Sequence, residues 1–382
     1  LAAQPVQALH VKDLSRNRGF LFTCILYFRF RKFRERSIKA WRWIHAPSAK
    51  ISLMFQPPRD AKIPPLKAAC LQGGLCSLWI GNVMVLHHLF NLDTLFSFLL
   101  VALYVLGAKS FVSLKTLTWL NLSCACLLLL VFIQLTPKND RSWDPPVARL
   151  ARITSTHTHI KIENLRNFRW QGPRDFAPSW ETKIYDLSQL VHLELIVVPF
   201  GLEALTAHTM LSFGFVNGDR LILSVEARKE VDEIYGLAAG TLRQFELIYL
   251  FGTETDLLQS RAVYRNNTIY AFPVKATPTF MRRLLLQLSD IANDLHTRPE
   301  FYSVLSRNCT TSLIEAINHT RGQPIAFAWE ALFPAQAGAL LHKLGYMDTE
   351  LDYPAAVQAF RIDERIRAFQ DQPRFSEVIR QH

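Results

Sequence analysis

The chain has 382 residues, 49% of them apolar, and a formal net charge of +11. That length leaves room for more than one globular domain. The charge does not mark a nucleic-acid interface: residues 1–70 carry 14 Lys and Arg against Asp13, Glu35 and Asp60, which accounts for the whole excess and leaves the remainder balanced.

Residues 1–65 read as a basic cytoplasmic or juxtamembrane segment. FLFTCILYFRF, from Phe20, is too short to cross a bilayer and carries Arg29, which suits an interfacial helix. The N-terminus shows no charged start followed by an apolar core and a small-residue cleavage site, so a cleavable signal peptide is not expected.

Residues 66–136 hold three apolar windows, Leu66 to Phe90, Thr94 to Ala108 and Thr116 to Leu135, each near the ~20 residues a span requires. Three transmembrane helices are expected; the alternatives are two spans, which would leave the C-terminal part in the cytosol, and a buried soluble hairpin. Placed beside the basic block, three spans leave the N-terminus cytoplasmic and carry everything after Leu135 across the membrane.

After the linker TPKNDRSWDPP, residues 137–325 have the composition of a globular domain. HIKIENLRNFRW alternates like a strand, QGPRDFAPSWETK reads as a polar connection, and IYDLSQLVHLELIVV is strand-like again. TMLSFGFV and RLILSVEA flank Asn217-Gly218-Asp219. Leu211, Phe213 and Phe215 alternate before that turn and Leu221, Leu223 and Val225 after it, which predicts a hairpin with one buried face. RQFELIYLF and NTIYAFPV add strands, and FMRRLLLQLSDIANDLH and CTTSLIEAINHT read as helices. The domain is therefore expected to be α+β, an antiparallel sheet packed on helices. Residues 326–382 read as a helical C-terminal extension, with solvated faces as the first reading and cover for the core or contact with the membrane as the alternatives.

Five of the six cysteines, Cys24, Cys70, Cys76, Cys124 and Cys126, lie in the membrane half, so Cys309 is the lone thiol of the exported part. A lone thiol in an oxidising compartment is either buried or used. If a helix starts at Cys309 with Asn308 as its cap, backbone N–H groups and the positive end of the helix dipole face the sulfur. That is the setting of a thiol nucleophile, with the amides of Cys309 and Thr310 as candidate oxyanion donors. The plain alternative is a small buried residue at a crowded helix start.

His319 lies ten residues further along the same helix, about 15 Å away, and cannot serve as base. His208, at the start of the hairpin, can be presented by a rigid strand to a helix terminus. Glu226 returns near its register on the partner strand and shares a face with Ser224, so it is the candidate to orient the imidazole, with Ser224 in support. The alternative pairs Glu226 with Arg228 or Lys229 at the surface. Neither HExxH nor paired CxxC occurs, nor G-x-S-x-G, nor a phosphate-cradling glycine loop, so neither a metal nor a cofactor is expected.

The runs IENLRNFRW, DFAPSWETKIYDLSQL, AHTMLSFGFVNGDRLILSVEARKE, RQFELIYLF and FYSVLSRNCTTSL resemble the Lnb-type N-terminal periplasmic domain family of bacterial envelope proteins, over roughly residues 140 to 320. The resemblance implies a permuted papain-like, NlpC-like fold with His before Cys, and a thiol acyltransferase working through a thioester. It implies a multi-pass protein of the bacterial inner membrane with its catalytic domain in the periplasm, and a lipoprotein or membrane lipid as substrate. Two segments depart from the family's pattern, VDEIYG after RKE and FGTETD near residue 254, and both are expected to lie away from His208 and Cys309. The other readings are a papain-like amidase or peptidase on wall peptide, and a non-catalytic membrane-tethered binding module.

Overall fold

In a computed structural model of the protein, residues 66–90, 92, 94–110, 113–201, 205–325 and 333–381 are described. The basic segment 1–65 and the interfacial helix expected from Phe20 lie outside the described residues.

Three apolar helices come first: α1 (Leu66–Phe90), α2 (Thr94–Ser110) and α3 (Leu114–Gln134). Ser113 caps α3, its Oγ accepting from Thr116 N–H at 3.2 Å. Among the described residues one helix, Lys115–Gln134, is long and apolar enough to cross a membrane. The apolar stretches of the other two are shorter, Gly73–His87 and Phe96–Leu106. The 17 residues of α2 rise about 26 Å, less than the ~30 Å hydrocarbon core. Helices α1 and α2 touch through Trp79 stacked on Tyr104, 4.6 Å between centroids, and Leu117 of α3 packs with Leu75 and Tyr104. Their outer surfaces expose Phe98, Leu103, Trp119, Leu127 and Leu129.

The α+β domain follows. Its main sheet runs β1 (Arg152–Ser155), β2 (His159–Arg166), β9 (Glu246–Thr253), β8 (Arg220–Arg228), β7 (Ala207–Phe215), β6 (Leu190–Pro199) and β10 (Tyr270–Pro273) in spatial order, with β5 (Trp180–Asp186) paired to β2. Every junction is antiparallel except β2–β9, which is parallel at Arg166 and Gly252. Two short strands, β3 (Arg169–Trp170) and β4 (Phe176–Ala177), pair separately. The expected hairpin is β7–β8, and Gly218 closes its turn at φ +85°, where a residue without Cβ is favoured. The stretch expected as a polar connection contains β4 and the start of β5, and IYDLSQLVHLELIVV is split into β5 and β6 by a single 3-10 turn, Leu187–Gln189.

Helices α4 (Leu237–Thr241) and α5 (Glu254–Ala262) precede two longer ones, α6 (Pro278–Asp294) and α7 (Cys309–Arg321). Met281, Leu284, Leu285, Leu288 and Ala292 recur at helical spacing on α6 and bury against Leu211, Phe213, Leu221, Leu223 and Val225 of the sheet, together with Leu313 and Ala316 of α7. Each such leucine contributes about 1.5–3 kcal/mol by burial.

The opposite face carries Met210, Ile222 and Leu250, covered by Leu257 and Leu258 of α5. It is covered too by Ile366 of α10 (Asp363–Ala368) and by Phe375 of α11 (Phe375–Val378). Two more helices, α8 (Ala337–Lys343) and α9 (Tyr353–Ala359), close the β6–β10 side through Ala337 and Ala356, with Met347 of their connection, against Phe272. The C-terminal part, expected as solvated helix, is instead structural: Ile362, Ile366 and Ile379 are buried because the second face of the sheet has no other cover.

Candidate functional site

The β7–β8 ladder runs from Gly214↔Arg220 to Met210↔Ser224 and stops there, although both strands continue. Beyond it, Ala207–Thr209 pair only with β6 and Val225–Arg228 only with β9. The sheet thus forks between its two central strands. A cleft of about 680 Å³ opens at the fork, lined by Ala207, His208, Glu226, Tyr302, Asn308 and Cys309 among others. This resolves a problem of parity: His208, Ser224 and Glu226 belong to the face that carries Met210 and Ile222, whereas Cys309 packs in the core of the other face. Only where the strands separate do the two sets border one space.

Cys309 is the first residue of α7 and is 4% exposed. Asn308 has extended backbone and caps the helix in a full capping box. Its Oδ1 accepts from Thr310 and Thr311 N–H, both at 2.9 Å, and Thr311 Oγ1 accepts from Asn308 N–H at 2.9 Å. The Thr310 amide, expected as an oxyanion donor, is therefore taken by the cap. The Cys309 N–H makes no hydrogen bond among the described residues. The Thr310 hydroxyl faces Thr209, the two Oγ1 atoms 3.1 Å apart. Cys309 Sγ lies 3.8 Å from Ala207 O, over the end of β7. It makes no hydrogen bond with His208.

His208 Nε2 is 2.6 Å from Ser224 Oγ, and Ser224 donates to Glu226 Oε1 at 2.8 Å. An ionised carboxylate only accepts, so the serine proton points to Glu226 and the serine oxygen accepts from His208 Nε2–H. Nδ1 then carries the lone pair. Ser224 is thus a bridge in the chain, and His208 Nε2 stands 3.7 Å from the carboxylate itself.

Arg261 of α5 donates to Glu226 Oε1 at 3.0 Å. Burial opposes ionisation of Glu226, but Arg261 and, further off, Arg166 hold its carboxyl well below the usual range, and the Ser224 hydrogen bond adds to this. The surface pairing of Glu226 with Arg228 or Lys229 does not form: Arg228 donates to the Val147 and Ala148 carbonyls and Lys229 pairs with Asp144. Burial pushes the His208 imidazole down to about 4, aided by the charges of Arg261 and Arg265 and opposed by Glu226. At neutral pH it is an uncharged base.

Several cleft residues were not apparent as site residues in the sequence. Arg261 sits on a helix remote in the chain from the hairpin. Tyr235 and Tyr302 meet edge to face with centroids 6.3 Å apart, and both line the cleft. Burial raises the Tyr302 phenol, and the nearby Cys309 and Tyr235 add to it. Tyr235 belongs to VDEIYG, so that departing segment borders the cleft rather than lying away from it. FGTETD borders it through support: Asp256 accepts from Arg166 Nε at 2.8 Å and Nη2 at 3.0 Å, from Phe168 N–H at 2.8 Å and from Trp170 Nε1 at 2.7 Å.

Among the described residues no group of three His, Cys, Asp or Glu is arranged to hold a metal ion. Phe200, Leu205, Tyr235 and Leu237 line the cleft and are also exposed, with Val231 and Ile234 exposed beside them. Asp144, Pro146 and Val147, from the linker after α3, line it as well. Arg243 reaches back to the end of α3, its guanidinium 4.4 Å from the Phe132 ring centroid and donating to Phe132 O at 3.2 Å.

A mixed α+β domain preceded by an apolar helix long enough to span a membrane thus places a buried thiol and a His–Ser–Glu chain on one cleft. Residues 176–335, which contain His208, Ser224, Glu226 and Cys309, match the model of the Lnb N-terminal periplasmic domain family. No curated protein and no solved structure matches the chain.

Proposed function

We propose that the protein is a thiol acyltransferase of the bacterial inner membrane, acting in the periplasm on an acyl ester of a lipoprotein or phospholipid, with a permuted papain-like domain. One observation carries the reading: the cleft bordered by Cys309, His208 and Glu226 has an exposed apolar rim and includes linker residues close behind the spanning helix. Asp144 follows Gln134 by ten residues, a reach of at most about 35 Å even fully extended. Such a rim suits a lipid surface, and a wall-peptide groove would be polar. Helices α1 and α2, apolar on their outer surfaces, complete a three-pass anchor in this reading.

His208 Nδ1 takes the Cys309 proton as the sulfur attacks the ester carbonyl, and the Sγ–C bond forms. The ester C–O bond then breaks, and His208 returns the proton to the departing alkoxide oxygen, leaving an acyl thioester and a free hydroxyl. An amine or water next attacks the thioester with His208 again as base, and the thiol is regenerated. The Cys309 N–H is the donor nearest the developing oxyanion. Ser224 and Glu226 fix the imidazole.

The test incubates membranes holding the full chain with phospholipid or diacylated lipopeptide bearing radiolabelled acyl chains, then isolates hydroxylamine-sensitive label on the protein. Label on wild type and none on Cys309→Ser by the thioester criterion is expected. Equal labelling of both overturns the mechanism, and release of wall peptide with no lipid turnover transfers the site to an amidase.

A further inference from the structure

Beside the cleft lies a second, partly open cavity of about 310 Å³, between the sheet and helices α6, α7 and α8. Leu195 and Leu211 of the sheet, Leu284 of α6, Leu313 and Ile317 of α7 and Leu341 of α8 make its walls apolar. Native interiors pack to about 0.74 density with few voids larger than a water, so a space at the lower end of the ~300–1,000 Å³ range of ligand pockets is not a packing residue. Water gains little there, since the walls offer few hydrogen-bond partners.

The cavity shares a wall with the cleft. Three separate segments line both spaces: His208 faces the cleft and Thr209 the cavity, Cys309 the cleft and Thr310 the cavity, Pro334 the cleft and Ala337 the cavity. The partition includes the hydrogen-bonded hydroxyls of Thr209 and Thr310, 3.1 Å apart, and Thr310 Oγ1 is 4.0 Å from Cys309 Sγ.

We infer that this cavity receives the hydrocarbon tail of the acyl group carried by Cys309, one linear fatty chain whose carbonyl end lies at the Thr209–Thr310 partition. The inference rests on the acyltransferase reading of Cys309. An unbranched apolar tail matches both the position next to the thiol and a lining that, apart from Lys275, Thr277, Arg321, Tyr346 and the two partition threonines, is apolar. Helix α8, which supplies Leu340 and Leu341, lies beyond the matched residues 176–335, so the depth of the cavity is set by this chain's own C-terminal part.

The experiment has two arms. In the first, full-length Cys309→Ala protein in detergent is irradiated with a palmitate analogue bearing a terminal diazirine, and cross-linked peptides are mapped. Adducts on α6, α7 or α8 are expected. Adducts confined to α1–α3 or to the cleft rim overturn the inference. In the second arm, Ile317→Trp and, independently, Leu341→Trp, each checked for an unchanged unfolding midpoint, are labelled at Cys309 with octanoyl and palmitoyl esters. Palmitoyl labelling is expected to fall at least tenfold while octanoyl labelling stays within twofold. Unchanged palmitoyl labelling in both variants overturns the inference but leaves the acyltransferase reading standing. If wild type takes no label from either ester while the cross-links map to the cavity, the acyltransferase reading fails and the cavity remains a fatty-chain site.

Discussion

His208 reaches Glu226 through Ser224: the imidazole Nε2 is 2.6 Å from the serine oxygen and 3.7 Å from the carboxylate. The intermediate hydroxyl fixes the direction of every proton in the chain, since the carboxylate can only accept. Removing Ser224 therefore differs from removing Glu226. Ser224→Ala leaves Nε2 without its acceptor and frees the ring to turn, so thioester formation is expected to slow about 10-fold to 100-fold. Glu226→Gln leaves Arg261 facing a neutral amide that can donate back to the serine, which reverses the chain and favours the wrong tautomer. A loss of about 10²–10⁴ is expected, the range of general-base contributions. Single-turnover labelling of Cys309 measures both, and equal, small effects would remove the relay from the mechanism.

The neutral state of His208 depends on its neighbours. Its folded value, about 4, lies below the ordinary 6.5, so a proton prefers the unfolded chain. His208 thus contributes stability that is full above about 6.5 and is lost as the pH falls towards about 4. Arg261→Met removes the largest charge holding the imidazole down and leaves Glu226 to pull it up. The His208 titration, followed by the ring Cε1–H resonance, is expected to move upward by about one unit or more. An unmoved midpoint would mean that burial alone sets the base.

Asp256 holds four donors with a side chain fully out of solvent, and the Arg166 guanidinium is 4% exposed. Asp256→Ala leaves the buried Arg166 cation without its carboxylate, with only the Pro146 carbonyl to accept from it, and leaves two N–H groups without partners. A loss of about 3–5 kcal/mol in denaturant unfolding is expected. The Phe168, Trp170 and Phe176 ring cluster hangs on this carboxylate, so tryptophan emission should shift red as well. A loss below about 1 kcal/mol would mean that the ring cluster stands without it.

The orientation of the domain is open to a direct chemical check. Ser155 at the end of β1 is exposed and is not among the residues that line the cleft. In cells with a permeabilised outer membrane, Ser155→Cys is expected to react with a membrane-impermeant maleimide before lysis. Reaction only after lysis would put the domain in the cytosol and exclude the periplasmic reading.

Local signals carried the hairpin, the two long helices and the cap at Cys309, because alternation, an Asn-Gly turn and a capping residue act within a few positions. Glu226 and His208 share a register that the hairpin arithmetic reaches. The end of their ladder at Met210↔Ser224 is a different matter: it is set by how β6 and β9 pull the strands apart, which no period in the hairpin records. The start of strand β5 was hidden in a polar stretch because Glu181, Thr182 and Lys183 are polar and none of them is buried. Arg261 and the tyrosine pair enter the cleft from remote segments. The short helices after residue 333 have the same amphipathic pattern whether they meet water or a sheet, and only the uncovered face decides. The spanning helix was legible from length and hydropathy, whereas the shorter apolar helices pass those tests only in part.

Arg380 ties the fold together from far away. It donates to Glu194 Oε1 at 2.7 Å and to Glu254 Oε2 at 2.9 Å, and Glu254 has no other ion-pair partner among the described residues. Glu194 and Arg380 are 186 positions apart. Synthesis from the N-terminus delivers residue 380 after all the strands of the sheet, so the Glu254 carboxylate gains this cation only after every strand has been made. The second face of the sheet is therefore completed late, by a contact that no truncation before Arg380 retains.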